Sequence, residues 1–239
     1  MFGQGVTTDA VTELIRGLKA DGVWDKTELI CVVRGSEIAS LTNLKNAANI
    51  GANVGGCAFT PYRGFTVSDT GGKYIDSNIT LGGAISADSN HLWAYTSNTN
   101  PPVGWSSQGV VGASRNTTNA NLSVRTINAA TDTNASFNGS VGLDINADTP
   151  VGFFGIARDS STSMAFRINA TASTSATANT TTALPGKIFV GAINVNGGAA
   201  FFSDCRVQGW GWGSGLTATE LGNLRTRIQT YMTAIGAQA

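Results

Sequence analysis

The side chains able to carry chemistry are few and far apart. The chain has one histidine, His91, and four glutamates, Glu13, Glu28, Glu37 and Glu220. Retaining hydrolysis of a glycosidic bond needs two carboxyls about 5–5.5 Å apart, which alternating acidic positions on one strand supply. No E-x-D-x-E cluster occurs, and Glu13 and Glu220 fall in helical pattern, so this chemistry is not expected. His91 precedes Leu92 and Trp93 at the start of an expected strand. Without a G-x-S-x-G elbow or a cysteine motif to recruit it as a base, it reads as a hydrogen-bonded structural residue. A P-loop, a dinucleotide fingerprint and an HExxH motif are also missing from the sequence. Asp69, Asp76, Asp88, Asp144 and Asp148 stand in turn-rich text where calcium could recruit oxygen ligands, yet their spacing matches no calcium loop. They are expected to be solvated turns, and neither a metal nor a cofactor is expected. Cys31, Cys57 and Cys205 form an odd set without C-x-x-C spacing, which predicts three buried thiols, not a disulfide framework or a zinc site.

Holding a sugar without cleaving it needs a flat aromatic platform, and Trp105, Trp210 and Trp212 could provide one. In a strand, Trp210 and Trp212 project on the same face, and glycines at 209, 211 and 213 leave that side of the sheet open. The reading adopted is that both tryptophans pack beneath the helix that begins just afterwards. No residue is therefore assigned a catalytic, cofactor-binding or metal-binding role.

Those side chains must be held by mostly β structure. The 239 residues include 30 glycines and only 5 prolines and are rich in Thr, Ser and Asn, a composition suited to short strands joined by tight turns. A sandwich of roughly this length commonly forms one domain. Val11, Leu14, Ile15 and Leu18 recur at helical spacing, with Thr8 or Asp9 as the cap and Gly22 past the end. This helix and its lead-in occupy residues 1–28. Leu29 to Val33 is a continuous apolar run of strand length, and residues 42–56 read as a short helix or a long loop. From Phe59 onward short apolar or alternating segments predict strands at 74–79, 92–96, 109–113, 122–127, 135–137, 151–157, 164–168 and 187–193. Residues 169–184 are a low-complexity Ala/Thr/Ser/Asn stretch, expected to be an exposed, mobile hairpin or loop. Thr217-x-x-Glu220 is a capping box opening a helix over 217–236, whose Leu221, Leu224, Ile228, Tyr231 and Ile235 line one face for docking on the sheet.

Lys plus Arg and Asp plus Glu both number 15, so no basic field is available for nucleic acid. No apolar stretch approaches the ~20 residues needed to span a bilayer, so membrane insertion is not expected. The N-terminal MFGQGVTTDAVTELIRG lacks the pattern of a secretory signal, which predicts synthesis without export. The N-x-S/T triplets at Asn78, Asn116, Asn121, Asn134, Asn138, Asn169 and Asn179 are then chance products of an Asn/Thr-rich chain.

Several stretches, taken in order, resemble a group of bacteriophage structural proteins with concanavalin A-like folds. The first helix runs into Lys19-Ala-Asp-Gly-Val-Trp24-Asp-Lys26. Phe59-Thr-Pro-Tyr-Arg63-Gly64-Phe65-Thr66 and Gly71-Gly-Lys-Tyr74-Ile75-Asp76 resemble that group's arginine-glycine-aromatic turn and the strand it leads to. Ile188-Phe-Val-Gly191-Ala-Ile-Asn194, Phe201-Phe202, Gly215 to Leu221 and Leu224 to Gly236 resemble its closing strands and terminal helix. The resemblance implies a two-sheet antiparallel jelly roll, residues 29–239, closed by the C-terminal helix. It also implies a non-enzymatic part of a virion, at the tail, baseplate, collar or head surface, assembled in the bacterial cytoplasm. Expected partners are other virion proteins, further copies of the chain and host-surface polysaccharide. A free carbohydrate-binding module is the alternative, and a glycan hydrolase a more remote one.

Overall fold

The computed structural model describes residues 4–68, 70–81, 88–99, 108–114, 121–127, 132–137, 142–146, 151–175 and 186–237. In chain order the elements begin with α1 (Gln4–Ala20), β1 (Thr27–Val32), α2 (Glu37–Leu41), β2 (Ala52–Val54), β3 (Ala58–Thr60), β4 (Gly64–Val67), β5 (Tyr74–Leu81) and β6 (Asn90–Thr99). There follow β7 (Gln108–Ser114), β8 (Asn121–Ile127), β9 (Asp132–Phe137), β10 (Gly142–Asn146), β11 (Gly152–Ser160), β12 (Ser163–Ile168) and β13 (Thr171–Ser175). The chain closes with β14 (Gly186–Val190), β15 (Ile193–Val195), β16 (Gly198–Ala200), β17 (Cys205–Gly213) and α3 (Ala218–Ala234).

Two mostly antiparallel sheets form the body. The first runs β13-β12-β11-β6-β17-β4-β3, with β1 pairing β17 beside β4. The second runs β10-β9-β8-β7-β14-β5-β2, with β15 joining β7 in a parallel pair and β16 joining β15. Side chains of both sheets share one buried cluster that includes Leu29, Phe65, Ile75, Leu92, Val111, Phe154, Ile188, Val190 and Trp210. The sheets therefore pack face to face as a sandwich.

The first sheet is buried on its other face as well. There Leu14 and Leu18 of α1 and Leu221, Leu224, Ile228 and Met232 of α3 meet Ile30, Val32, Trp93, Tyr95 and Phe153. Three layers result, helices on sheet on sheet, so the strands of the first sheet read as near-continuous apolar runs. β1 shows this: Leu29, Ile30, Cys31 and Val32 are all buried, facing alternately the sandwich core and the helices.

Room for the helix layer comes from glycine. Trp93 pairs with Gly155 on one side and Gly211 on the other, and the neighbouring row sets Tyr95 against Gly209. A Cβ on Gly211 would lie 2.6 Å from Trp93 Cε2 and 2.5 Å from the Leu29 carbonyl oxygen. A Cβ on Gly209 would meet Met232 Cε at 3.2 Å and the Trp93 ring at 3.3 Å. The indole thus lies across the glycines of β17 and stacks on Phe153 at 6.0 Å between centroids.

His91 occupies the same layer, paired with Gly213 and fully buried. Its Nδ1 lies 2.6 Å from the Ser214 carbonyl oxygen and acts as the donor of that bond in the neutral ring. Burial outweighs that hydrogen bond and pulls the pKa down to about 4.

Both long helices end as their residues dictate. At the end of α1, Gly22 has φ 72°, its N–H reaches the Lys19 carbonyl and the Val23 N–H reaches the Leu18 carbonyl, the two bonds of a Schellman motif. The expected caps Thr8 and Asp9 instead lie inside α1, which extends back to Gln4. At the start of α3, Thr217 Oγ1 accepts from the Glu220 N–H while Glu220 Oε2 accepts from the Thr217 N–H at 2.8 Å. Glu220 also reaches across to Lys26 at 2.7 Å, and Arg227 of α3 grips Asp21 with two bonds of 2.7 and 3.1 Å. The two helices are thereby tied to each other as well as to the sheet.

Other expectations shift. Residues 42–56 hold neither a helix nor one long loop: the short helix α2 precedes them, Thr42 bridges Ile50, and β2 lies within them. The run 187–193 is cut at Gly191, whose φ of 79° ends β14. Residues 171–175 of the Ala/Thr-rich stretch form β13 and pair with β12, and 176–185 lie outside the described residues.

Two measurements check this packing. In urea unfolding, Gly211→Ala is expected to cost about 2–3 kcal/mol through overpacking against Trp93, whereas Gly198→Ala, where a Cβ meets only the Val195 carbonyl oxygen at 3.6 Å, stays within about 0.5 kcal/mol. His91 has a folded pKa below its unfolded value of about 6.5, so the unfolded chain binds more protons between the two. Its contribution is complete above pH 6.5 and is lost as pH falls toward 4, by at most about 3 kcal/mol. His91→Asn, which keeps a donor for Ser214, is expected to remove that part of the acid slope in unfolding curves from pH 7 to 4.

Candidate functional site

Several of the residues weighed for catalysis are held in structural contacts, while Glu28 is exposed on β1. His91 Nε2 is buried with no hydrogen-bond partner among the described residues and is closed off between sheet and helices. Glu13 pairs with Arg16 on the exposed side of α1, and Glu37 accepts from Asn53 Nδ2 at 2.7 Å. Burial pushes the Glu220 carboxyl up, but the Lys26 hydrogen bond and the Thr217 contacts together pull it below its ordinary value. That direction is opposite to what a general acid at neutral pH requires. Asp76 is held by Lys187 at 2.9 Å and accepts from the Asn78 N–H, while Asp88 faces the buried Arg158 at 3.6 Å.

No cluster of three or more His, Cys, Asp or Glu suited to a metal occurs among the described residues. Asp69, Asp148 and Trp105 lie outside them, and Asp144 is described only through the backbone of β10. Cys31, Cys57 and Cys205 are buried free thiols, and burial raises them to about 12, 11 and 12. They are protonated and unreactive at neutral pH. Of the N-x-S/T asparagines, Asn116, Asn138 and Asn179 lie outside the described residues. Asn169 donates from Nδ2 to the Val151 carbonyl at 2.7 Å and accepts from the Phe153 N–H, and Asn78 donates to the Ile50 carbonyl.

The tryptophan pair is placed differently from the expectation. Trp210 and Trp212 do share a face, but it is the one between the two sheets, where Trp210 meets Phe65 edge-on at 6.2 Å. They do not pack beneath α3, and they offer no sugar platform, being 1% and 6% exposed. The glycines at 209, 211 and 213 point to the opposite face, which Trp93, Met232 and His91 fill. From Gly209 to Gly213, past the register shift between Val207 and Gly209, side chains alternate in direction, so the glycines and the tryptophans leave the sheet on opposite faces.

A polar cleft of about 370 Å³ opens where α3 passes over the ends of β6 and β11. Tyr95, Thr96 and Ser97 form one wall, Val151, Gly152 and Asn169 the floor, and Arg225 and Gln229 the helix side. Each wall is fixed from below. Tyr95 is 4% exposed and its hydroxyl donates to Gln229 Oε1 at 3.3 Å. Asn169 clamps the floor with both ends of its amide, and Gly152, at φ 104°, is required there because a Cβ would strike Asn169 Oδ1. Arg225 makes no ion pair among the described residues, and its Nε is shielded from solvent without an acceptor. The arrangement supplies donors and acceptors on a rigid frame with no carboxyl or imidazole in the lining, which suits binding and lacks an acid–base pair. Sequence reading missed it because its residues come from four separate segments, and only the i, i+4 relation of Arg225 and Gln229 is visible along the chain.

No family model and no curated protein sequence matches the chain. Solved structures do. A mutant of Trypanosoma rangeli sialidase displaying trans-sialidase activity matches with a TM-score of 0.61 at 9% identity, over 92% of this chain and 39% of that one. The binding domain of botulinum neurotoxin serotype D matches at 0.58 and 8% identity, over 84% and 52%. Botulinum neurotoxin type C, whose cell entry depends on interaction with two ganglioside molecules, matches at 0.53 and 11% identity, over 86% and 52%. The chain spans about half or less of the length of these structures. What the likeness shows is the fold: a mostly antiparallel β-sandwich of the kind found in sialidases and in toxin binding domains.

Proposed function

We propose that the chain is a non-enzymatic recognition protein, a concanavalin A-like jelly roll that serves as a structural component of a phage particle and contacts glycan on the host surface. The observation that carries recognition is the cleft at Tyr95, Arg225 and Gln229: polar, rigidly supported and free of an acid–base pair in its lining. A sugar presents hydroxyls that such a wall of hydroxyl, amide and guanidinium groups can match. The dependence of botulinum neurotoxin type C on gangliosides supports glycan as the ligand class by analogy of fold.

The virion setting rests on the sequence landmarks from Lys19-to-Lys26 through Arg63-Gly64 to the terminal helix. In that setting the chain works as a homo-oligomer among other virion proteins. A free carbohydrate-binding module is the second reading, favoured by the same cleft, and differs in acting as a monomer.

The isolated protein is expected to bind members of a glycan array and to release no reducing ends from them. Sugar release would overturn the non-enzymatic reading, and a blank array the recognition reading. Mass spectrometry of purified particles is expected to find the chain at a fixed copy number, and its consistent absence would leave the free module. Light scattering is expected to give an oligomeric mass.

A further inference from the structure

We propose that the cleft takes an acidic sugar, with the guanidinium of Arg225 receiving its carboxylate and Arg167, which lies under α3 outside the lining, adding positive charge nearby. This inference rests on the reading of the cleft as a glycan site and names the chemical class of glycan.

The charges around the cleft carry it. Among the described residues neither Arg225, in the lining, nor Arg167, under α3, has a carboxylate within 4.0 Å. Arg167 leaves β12 on the helix side and passes under α3 at Gly222, where a Cβ would lie 3.3 Å from its Nη2. One turn further along α3 stands Arg225. Arg167 spends one donor on the Ala170 carbonyl, a long contact of 3.3 Å, and the Nε of each arginine is shielded from water without an acceptor. Burial first, and the charge of Arg225 second, make the Arg167 cation less favourable than usual.

Two like charges held together without a counter-charge are costly, and a bound anion would offset that cost. Guanidinium presents paired donors that match a carboxylate two at a time, which a compact ammonium does not. The rest of the wall, Tyr95, Ser97 and Gln229, is neutral and able to meet hydroxyls, so an anionic group attached to a sugar ring fits better than a bare ion. At about 370 Å³ the cleft is at the small end of ligand sites, of a size for a single acidic residue rather than a long chain.

The test is calorimetric titration of the purified full chain with trigalacturonate, hyaluronan tetrasaccharide and sialyllactose, each as the free acid and as its methyl ester, which keeps the sugar and removes the charge. At least one free acid is expected to bind, with its ester at least tenfold weaker. For that acid Arg225→Gln is expected to weaken binding at least tenfold and Arg225→Lys less, with thermal melting to confirm that both variants fold. Arg167→Gln is the second probe and is expected to act in the same direction. Equal binding of acid and ester, or an acid whose affinity neither glutamine variant alters, would overturn the carboxylate assignment and leave the glycan reading standing. Binding to neutral array glycans alone would do the same. If nothing binds in either format, the glycan reading itself fails and this inference with it.

Discussion

Trp93 pairs with a glycine on each neighbouring strand, Gly155 and Gly211, its indole lying over Gly211 and the Phe153 ring over Gly155, and this lets the first sheet be covered on both faces. A sheet buried twice must fit its side chains to two different layers at once, and close packing leaves little slack for either. On the sandwich side β17 contributes large side chains, Val207, Trp210 and Trp212, while on the helix side it contributes Gly209, Gly211 and Gly213. The volume missing from β17 is supplied by Trp93 and Tyr95 of β6 and by Met232 of α3. The helix ties at Asp21–Arg227 and Lys26–Glu220 are partly exposed and of small energetic worth by comparison.

This packing also fixes where chemistry can and cannot happen. Burial favours the neutral forms of His91 and the three cysteines, so these groups are unreactive at neutral pH. Where α3 overhangs the strand ends, polar groups converge in a cleft whose polar lining is hydroxyl, amide and guanidinium. The frame beneath is stiff: Tyr95 is rooted in the helix layer and Asn169 pins the start of β11.

Much of the architecture was legible in the residues. Local signals with a physical mechanism led to the right elements: the capping box at Thr217 and Glu220, the glycine stop at Gly22, and the apolar runs at 29–33 and 151–157. Errors arose where long-range packing decides. Trp210 and Trp212 were assigned to the helix because it follows them in the chain, yet strand alternation and the bulk of Trp93 turn them toward the second sheet. β10 carries little periodic signal because it has only five residues. The cleft was invisible for a related reason: Tyr95, Asn169 and Arg225 become neighbours only after β6, the β12–β13 turn and α3 have docked.

β17, the strand at the centre of the first sheet, is the last strand in the chain. It pairs with β6, with β4 and, from Leu29 to Trp212, with β1 at a separation of about 180 residues, and α3 comes later still. During synthesis, β1 and β6 emerge with their apolar faces complete and their central partner unmade. The indole of Trp93 has no glycine row to lie across, and Phe153 and Tyr95 have no helix above them. Such a nascent chain exposes unpaired strand edges and aromatic surface until β17 and α3 have left the ribosome, the condition under which chains of high contact order aggregate or engage chaperones. A truncation that removes only β17 and α3 therefore takes away the middle of a sheet and the roof above it, leaving behind two half-sheets with no common edge.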